Sequence, residues 1–296
     1  MRRTAGPRHG WRRLGRTAAI AFLCGIAATP AVAAPHRIAS IFLCADQLLL
    51  HLADRSRIVS LNRFVADPAF SNDAGDVSGI PLNRGRAEEI LPLKPDLVLA
   101  GTFTAPATKA LLRRLGIPVL ELPVEQDFDG IRTNIRRVAK AIGEIARGEK
   151  LVAALDRSLA VKAPPDRWRP ELMLYRFGGY SQGRDTLSNA IIERAGFANY
   201  AAARLNGVGR LSLERIVADP PDAILLGSRG TERDSLSAET LDHPALRRLR
   251  RELPTVVIPD RLWICGLANA GEAVQRLAAF RASLSHARKP AQEPKR

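Results

Sequence analysis

The sequence predicts an α/β protein made of two lobes, and a repeated segment is the main reason. Residues 87–101 read AEEILPLKPDLVLAG, and residues 213–227 read LERIVADPPDAILLG. Both copies place a glutamate seven residues before a Pro-Asp pair, and in both an apolar run and a glycine follow that pair. One offset of 126 residues relates Glu88 to Glu214. Each copy predicts a short helix stopped by proline and then a buried strand, so the chain holds two related α/β halves.

The flanks of the two copies repeat the same order of elements. Residues 110–120 and 245–258 each predict a helix and then a strand. In the first lobe, strands are expected over 37–43 and 57–61, with a helix between them for which Asp46 is the predicted N-cap. The first lobe also contains an irregular segment at 62–84 that is expected to hold ligand. The second lobe is expected to begin with a strand over 171–177. Its other predicted segments are a loop at 178–184, helices at 186–196 and about 268–284, and a flexible loop at 206–210.

A helical connector is predicted between the lobes. Apolar residues recur at spacings of three and four from Ile131 to Leu159, which indicates one long amphipathic helix with a kink near Gly148. The predicted domains are a signal peptide at 1–33, an N-terminal lobe at 34–127, the connecting helix at 128–163, a C-terminal lobe at 164–285 and a disordered tail at 286–296.

The N-terminus has the pattern of a secretory signal peptide. Six arginines precede an apolar run of about 11 residues, and an Ala-x-Ala site ends at Ala33. The run is too short for a membrane span, which needs roughly 20 apolar residues. Leu23 before Cys24 is too bulky for a lipidation signal, so we expect a cleaved, soluble, monomeric periplasmic protein that begins near Ala34.

Composition narrows the possible functions. The 296 residues are 46% apolar and 25% charged, as in ordinary globular proteins, and the net charge of +15 falls to +9 once the predicted signal peptide is removed. The arginines lie along predicted helices and are not interleaved with aromatic residues, so no nucleic-acid partner is expected. The four histidines of the mature chain are scattered, so no bare-metal site and no intrinsic cofactor are expected. The sequence also has no nucleophile elbow or phosphate-binding glycine loop.

The repeat, the helix-linked halves and the segment 88–100 resemble the iron-chelate and vitamin B12 substrate-binding proteins of bacterial ABC importers. The resemblance covers essentially the whole mature chain. It implies the class III architecture of periplasmic binding proteins, in which two Rossmann-like lobes are joined by one long helix. It also implies that a metal chelate, either cobalamin or another corrinoid or a ferric siderophore, binds in the cleft between the lobes. Glu88 and Glu214 match the surface glutamates that dock such proteins onto the dimeric permease in the inner membrane.

The predicted ligand site comes from segments that follow strands. Trp263 could stack on a flat chelate or could pack between lobes. Tyr180 lies in a loop bounded by glycines, which suits a segment that closes over a ligand. Arginines near strand ends could hold anionic groups of a ligand or could be solvated surface residues; Arg184 is one of them. The ligand-binding residues predicted in full are Cys44, Ala45, Asp46, Arg63, Arg84, Phe103, Arg176, Tyr180 and Trp263.

Cys44 and Cys265 are the two cysteines left after cleavage, and one lies in each lobe. Free thiols, a disulfide and ligation of a soft metal or cofactor all stay open. A disulfide across the cleft would restrain the lobes unless the C-terminal segment packs back on the first lobe. The function predicted is therefore a non-catalytic receptor; the alternatives are a haem-binding receptor and an exported enzyme that uses these two cysteines.

Overall fold

The computed structural model describes residues 34–160, 168–227, 243–267 and 269–287, so the predicted signal peptide lies outside the described residues. The first lobe is built on a five-stranded sheet with the order β3-β2-β1-β4-β5, in which every neighbouring pair is parallel. Its strands are β1 (Ile38–Ser40), β2 (Ile58–Asn62), β3 (Leu82–Asn83), β4 (Leu97–Gly101) and β5 (Val119–Leu122).

The second lobe is built on a four-stranded parallel sheet with the order β11-β10-β6-β8, and a small antiparallel pair, β7 with β9, lies beside it. These strands are β6 (Glu171–Leu174), β7 (Tyr180–Gln182), β8 (Ala198–Asn199), β9 (Val208–Arg210), β10 (Ala223–Gly227) and β11 (Thr255–Ile258).

Helices cover the sheets and confirm the predicted α/β class. The two copies of the repeat form corresponding elements, because α2 leads into β4 beside β1 and α7 leads into β10 beside β6. The described α-helices are α1 (Leu43–Leu52), α2 (Ala87–Ile90), α3 (Pro106–Arg114), α4 (Phe128–Ile142), α5 (Ile145–Ser158), α6 (Leu187–Arg194), α7 (Leu213–Ala218), α8 (Pro244–Glu252) and α9 (Asn269–Ala287).

Strand order fixes where a ligand can bind. In the first sheet the order reverses between β1 and β4, and in the second it reverses between β6 and β10. Crevices open at such points outside the carboxyl ends of parallel strands. The segments that follow these strands are therefore the expected walls of a site.

The two lobes share one hydrophobic core. Alternate residues of β4 point to opposite faces, so Leu97 and Leu99 join the large shared core while Val98 and Ala100 pack in a smaller cluster on the outer face. In the second lobe, Leu225 joins the same shared core. The contacts between the lobes therefore include buried apolar packing as well as the chain connection.

The connector is two helices and not the single long helix predicted. Chain direction reverses at Gly143, which ends α4 in the left-handed conformation with φ of 79°. The helices then run antiparallel, as ion pairs from Arg132 to Asp156 and from Arg136 to Glu149 show. A glycine at this position is a common helix stop, so the break falls five residues before the predicted kink.

Other predicted elements differ in their bounds. Asp46 is not the N-cap of α1, because the helix begins at Leu43 with Phe42 as its N-cap. The segment predicted to be irregular, 62–84, contains two short 3-10 helices and the edge strand β3. The last helix extends into the predicted tail, and 288–296 lie outside the described residues. No described helix is long and apolar enough to cross a membrane.

Candidate functional site

A cavity of about 490 Å³ lies between the lobes. It is bounded by segments that follow β4 and β5 in the first lobe and β6 in the second, as the strand order requires. Its volume is in the usual range for a small-molecule site. The lining residues are Phe103, Val124, Glu125, Gln126, Arg176, Gln182, Asp185, Thr186, Leu187, Ser188, Gly207, Val208, Trp263 and Ile264.

Apolar side chains stand exposed at the rim of this cleft. Phe103 is 81% exposed, Val124 is 59% exposed and Val208 is 65% exposed. They come from both lobes, so a ligand between the lobes would cover all three. Exposed apolar groups around one cavity are typical of a ligand-binding groove.

Arg176 supplies a positive group that a buried carboxylate holds in place. One of its guanidinium nitrogens lies 3.2 Å from Oδ1 of Asp260, which is 1% exposed. The space beside Asp260 is available because residue 227 is glycine; a Cβ there would lie 2.5 Å from the same oxygen. Arg176 is thereby fixed at the cleft wall, where it can donate hydrogen bonds to a ligand.

Glu125 is the buried acidic group of the cleft wall. Its carboxylate accepts a hydrogen bond from Nδ2 of Asn134 at 2.7 Å, and only 6% of the residue is exposed. Burial raises the pKa of Glu125, against the opposing effect of the hydrogen bond from Asn134. Asp185, which is exposed and has a positive φ of 58°, is the other acid among the lining residues.

Three of the predicted ligand-binding residues line the cleft: Phe103, Arg176 and Trp263. Trp263 is 5% exposed and belongs to the shared core. It therefore both packs between elements and forms part of the cleft wall. Its indole Nε1–H is buried and has no hydrogen-bond partner among the described residues.

The other predicted residues do not line the cavity. Cys44, Ala45 and Asp46 are buried in the first turn of α1. Arg84 is exposed. The other side chains contact neighbouring residues of the protein: the guanidinium of Arg63 lies over the ring of Phe64, and that of Arg210 lies over the ring of Tyr180. Arg184 donates hydrogen bonds to the side chain of Asn206 and to the carbonyl of Ala202. Ligand contact by these residues stays a prediction.

A disulfide joins Cys44 to Cys265, one in each lobe. Close by, Asn72 of the first lobe exchanges two hydrogen bonds with Arg261 of the second, at 2.8 and 3.1 Å. Gly266 packs so closely on Ile131 that a Cβ on the glycine would lie 2.3 Å from its side chain. The segment after β11 therefore returns to the first lobe, which is the arrangement that makes a bond between the lobes compatible with the fold.

The predicted docking residues Glu88 and Glu214 are both exposed, each in the first turn of a short helix. In the same two helices Ile90 and Ile216 are buried, whereas Val217 is 52% exposed. The described residues include no group of three or more His, Cys, Asp or Glu that could hold a metal ion.

Several cleft residues were missed from the sequence. Val124, Glu125 and Gln126 follow β5 directly, so the rule that ligand sites follow strand ends could have found them. Val208 belongs to the segment 206–210, which the sequence predicts as a flexible loop without a ligand role, but in the structure it begins strand β9. The N-terminus of α6 was not predicted to face the cleft.

Comparison with known proteins identifies the family. A family model described as periplasmic binding protein matches residues 38–250. A protein of Halobacterium salinarum named cobalamin-binding protein is 30% identical over 217 residues, which are 71% of this chain and 57% of that protein. The chain thus spans a little over half the length of this relative.

Solved structures share the fold. The periplasmic heme-binding protein RhuT from Roseiflexus sp. RS-1, in apo form, aligns with a TM-score of 0.66 and 24% identity, covering 86% of this chain and 99% of that one. The periplasmic vitamin B12 binding protein BtuF of Vibrio cholerae aligns with a TM-score of 0.62 and 15% identity, covering 85% and 98%. All three matches are binding proteins and none is an enzyme. The match over residues 38–250 shows that this chain belongs to the periplasmic binding protein family.

Proposed function

We propose that this chain is the periplasmic receptor of an ABC importer and that its ligand is a corrinoid such as cobalamin. The observation that carries the proposal is the cavity at two topological switch points, with exposed apolar side chains from both lobes at its rim. A chelate larger than the cavity would be covered at its edges by this rim. The name of the Halobacterium relative, cobalamin-binding protein, supports the same ligand.

The chemistry of the wall favours an intact, weakly charged chelate. The described lining residues include no His or Tyr that could bind an open coordination site on iron. Their charged groups are Arg176, Glu125 and Asp185, and Arg176 already has Asp260 as a partner. A ferric tris-catecholate, which carries several negative charges, would meet no excess of positive charge there.

Haem is the second candidate, and Tyr180 is the observation that favours it. Tyr180 is 40% exposed, and in β7 it lies on the same strand face as Gln182, which lines the cavity. A tyrosinate can serve as an axial ligand of haem iron.

The proposed partner is a dimeric inner-membrane permease that meets one glutamate on each lobe. The receptor would be exported by residues 1–33, work as a monomer and deliver its ligand when the permease separates the lobes. Because Cys44 and Cys265 are joined and no enzyme occurs among the matches described, the alternative of an exported enzyme using free thiols has no support.

The test is a binding screen on the chain from residue 34 onward with cyanocobalamin, hemin and ferrioxamine B. Binding to the folded state raises the melting temperature, so cyanocobalamin should give the largest shift. It should also quench the emission of Trp263, and Trp263→Phe should remove that part of the quenching. A shift with hemin alone that Tyr180→Phe abolishes would replace the corrinoid by haem.

A further inference from the structure

Glu125 has an unusual environment for a carboxylate in the wall of a cavity. It follows β5 and precedes α4, and its side chain is nine-tenths buried although it borders the cleft. Its one side-chain partner is Asn134, whose Nδ2 also donates to the carbonyl of Pro123 at 2.9 Å. No ion pair of the described residues includes Glu125.

Glu121, four residues earlier in β5, is a glutamate with a structural role and serves as a comparison for Glu125. Its two carboxylate oxygens are bound by the cations of Lys109 and Arg113. Hydrogen bonds from these two groups lower the pKa of Glu121. Glu125 has no such cation, although a buried carboxylate is costly unless it is paired.

An unpaired buried carboxylate at a cavity is the kind of group that a fold retains for binding. Glu125 can accept a hydrogen bond from a ligand in the cleft while Nδ2 of Asn134 donates to its carboxylate from the protein side. Arg176, on the opposite lobe, can donate a hydrogen bond to the ligand, and its guanidinium is positioned by the ion pair with the buried Asp260. The cleft thus offers an acceptor from the first lobe and a donor from the second.

We propose that Glu125 is a specificity-determining residue that accepts a hydrogen bond from an N–H group on the periphery of the chelate. A primary amide has both an N–H donor for Glu125 and a carbonyl acceptor for Arg176. The ligand class is therefore a chelate that carries amides, and not one whose polar periphery consists of carboxylates. This inference rests on the proposed function and narrows its ligand.

The test compares Glu125→Met, Glu125→Gln and Glu121→Gln, with cyanocobalamin as the probe. Methionine has a similar shape and cannot accept a strong hydrogen bond, so Glu125→Met should weaken binding by about tenfold or more. Glutamine keeps a carbonyl oxygen and should retain most of the affinity. Glu121→Gln should leave affinity unchanged, because its partners lie outside the cleft.

A second experiment changes the ligand instead of the protein. A cobalamin monocarboxylate, in which one peripheral amide is an acid, should bind the wild-type protein more weakly when the altered group is the one at Glu125, and Glu125→Gln should recover that loss. Unchanged affinity of Glu125→Met for cyanocobalamin, with the protein folded by its melting curve, would overturn the inference.

The other probes separate this inference from the corrinoid assignment. If ferrioxamine B, which has amides, binds in place of cyanocobalamin and depends on Glu125, the corrinoid is wrong and the role of Glu125 is supported. If hemin alone binds, Glu125 has been given the wrong role, because hemin has no peripheral N–H group. Failure of all three probes would refute both proposals.

Discussion

Asp46 shows how strongly one residue can depend on its surroundings. It lies in the first turn of α1 and is fully buried; Oδ1 accepts a hydrogen bond from the amide of Asn62 at 3.1 Å, and Oδ2 has no hydrogen-bond partner among the described residues. Burial raises the pKa of Asp46 from 3.8 to about 8, although the nearby hydroxyl of Ser40 and the hydrogen bond from the Asn62 amide oppose the rise. Asp46 is therefore mostly neutral at pH 7.

Replacing Asp46 by asparagine should stabilise the protein at alkaline pH. The pKa is higher in the folded state than in the unfolded state, so the stabilising contribution is complete below pH 3.8 and is lost as pH rises toward 8. Asn keeps an acceptor for the Asn62 amide and does not ionise. We expect the variant and the wild type to have equal melting temperatures near pH 4. At pH 8 the free energy of unfolding of the variant should be higher by several kcal/mol, at roughly 1.4 kcal/mol per pH unit. A lower melting temperature for Asp46→Asn at pH 8 would contradict this account.

At the scale of elements, the connector shows why two glycines five residues apart have different roles. Gly143 provides the left-handed residue that ends α4, whereas Gly148 lets α4 and α5 approach each other. A Cβ at Gly148 would lie 2.5 Å from the Cβ of Ala139. Periodicity continues across both positions, so the sequence alone did not distinguish a turn from a kink.

Gly148→Ala should lower the free energy of unfolding by about 1 to 2 kcal/mol. Alanine is favoured over glycine in a helix by roughly 1 kcal/mol, but overpacking between helices costs about 1 to 3 kcal/mol. The matched control is Gly130→Ala, also in a helix, where the nearest atoms to a Cβ lie at an ordinary 3.5 Å. This control should stabilise by up to about 1 kcal/mol in urea unfolding. Equal effects from both variants would rule out close packing as the reason for Gly148.

Local patterns predicted the elements better than they predicted the site. Both copies of the repeat formed the expected helix and strand, because a proline stop and an apolar run act within about ten residues. Glu125 and Asp46 could not be assigned in this way. Their properties depend on burial by distant segments, and for Glu125 only the rule that ligand sites follow strand ends could have indicated a role in the site.

At the scale of the whole molecule, a covalent bond and a shared core restrain one side of the cleft. The disulfide links residues separated by 221 positions, and the Asn72–Arg261 contact lies on the same segment. Lobe motion is then expected to be a small rotation that opens the side bearing Phe103 and Val208. Such a receptor pays little conformational entropy when the ligand binds.

Replacing both Cys44 and Cys265 by alanine should destabilise the protein and widen the range of lobe motion. Closing so long a loop stabilises a fold by about 2 to 5 kcal/mol, so urea unfolding should shift by that amount. The radius of gyration from small-angle X-ray scattering should increase in the absence of ligand. The same experiment on wild-type protein with reductant serves as the control, and an unchanged radius in both would show that the shared core alone holds the lobes.

The two exposed glutamates place equivalent charges on the two lobes. Glu88 and Glu214 each lie in the first turn of a short helix that follows the same repeat pattern, and neither forms an ion pair with any described residue. A simpler role is to complement the helix dipole, which is worth roughly 0.3 to 1 kcal/mol for each. A free carboxylate on each lobe also fits a two-fold permease with one positively charged contact per subunit.

Replacing Glu88 and Glu214 together by lysine should stop transport into vesicles that contain the permease, while the affinity for the ligand stays within twofold. Like charges would then meet at the docking surface, and association should slow most at low ionic strength, where screening is weak. Glu193→Lys, at an exposed position in the last turn of α6 and outside both repeats, is the matched control and should leave docking unchanged. If the double variant kept full transport, or if it lost ligand binding instead, the two glutamates would have to be reassigned to the helix dipole or to the cleft. A loss of stability above about 2 kcal/mol in its urea unfolding would favour the dipole role, because that role predicts destabilisation by both reversals and no salt-dependent change in association.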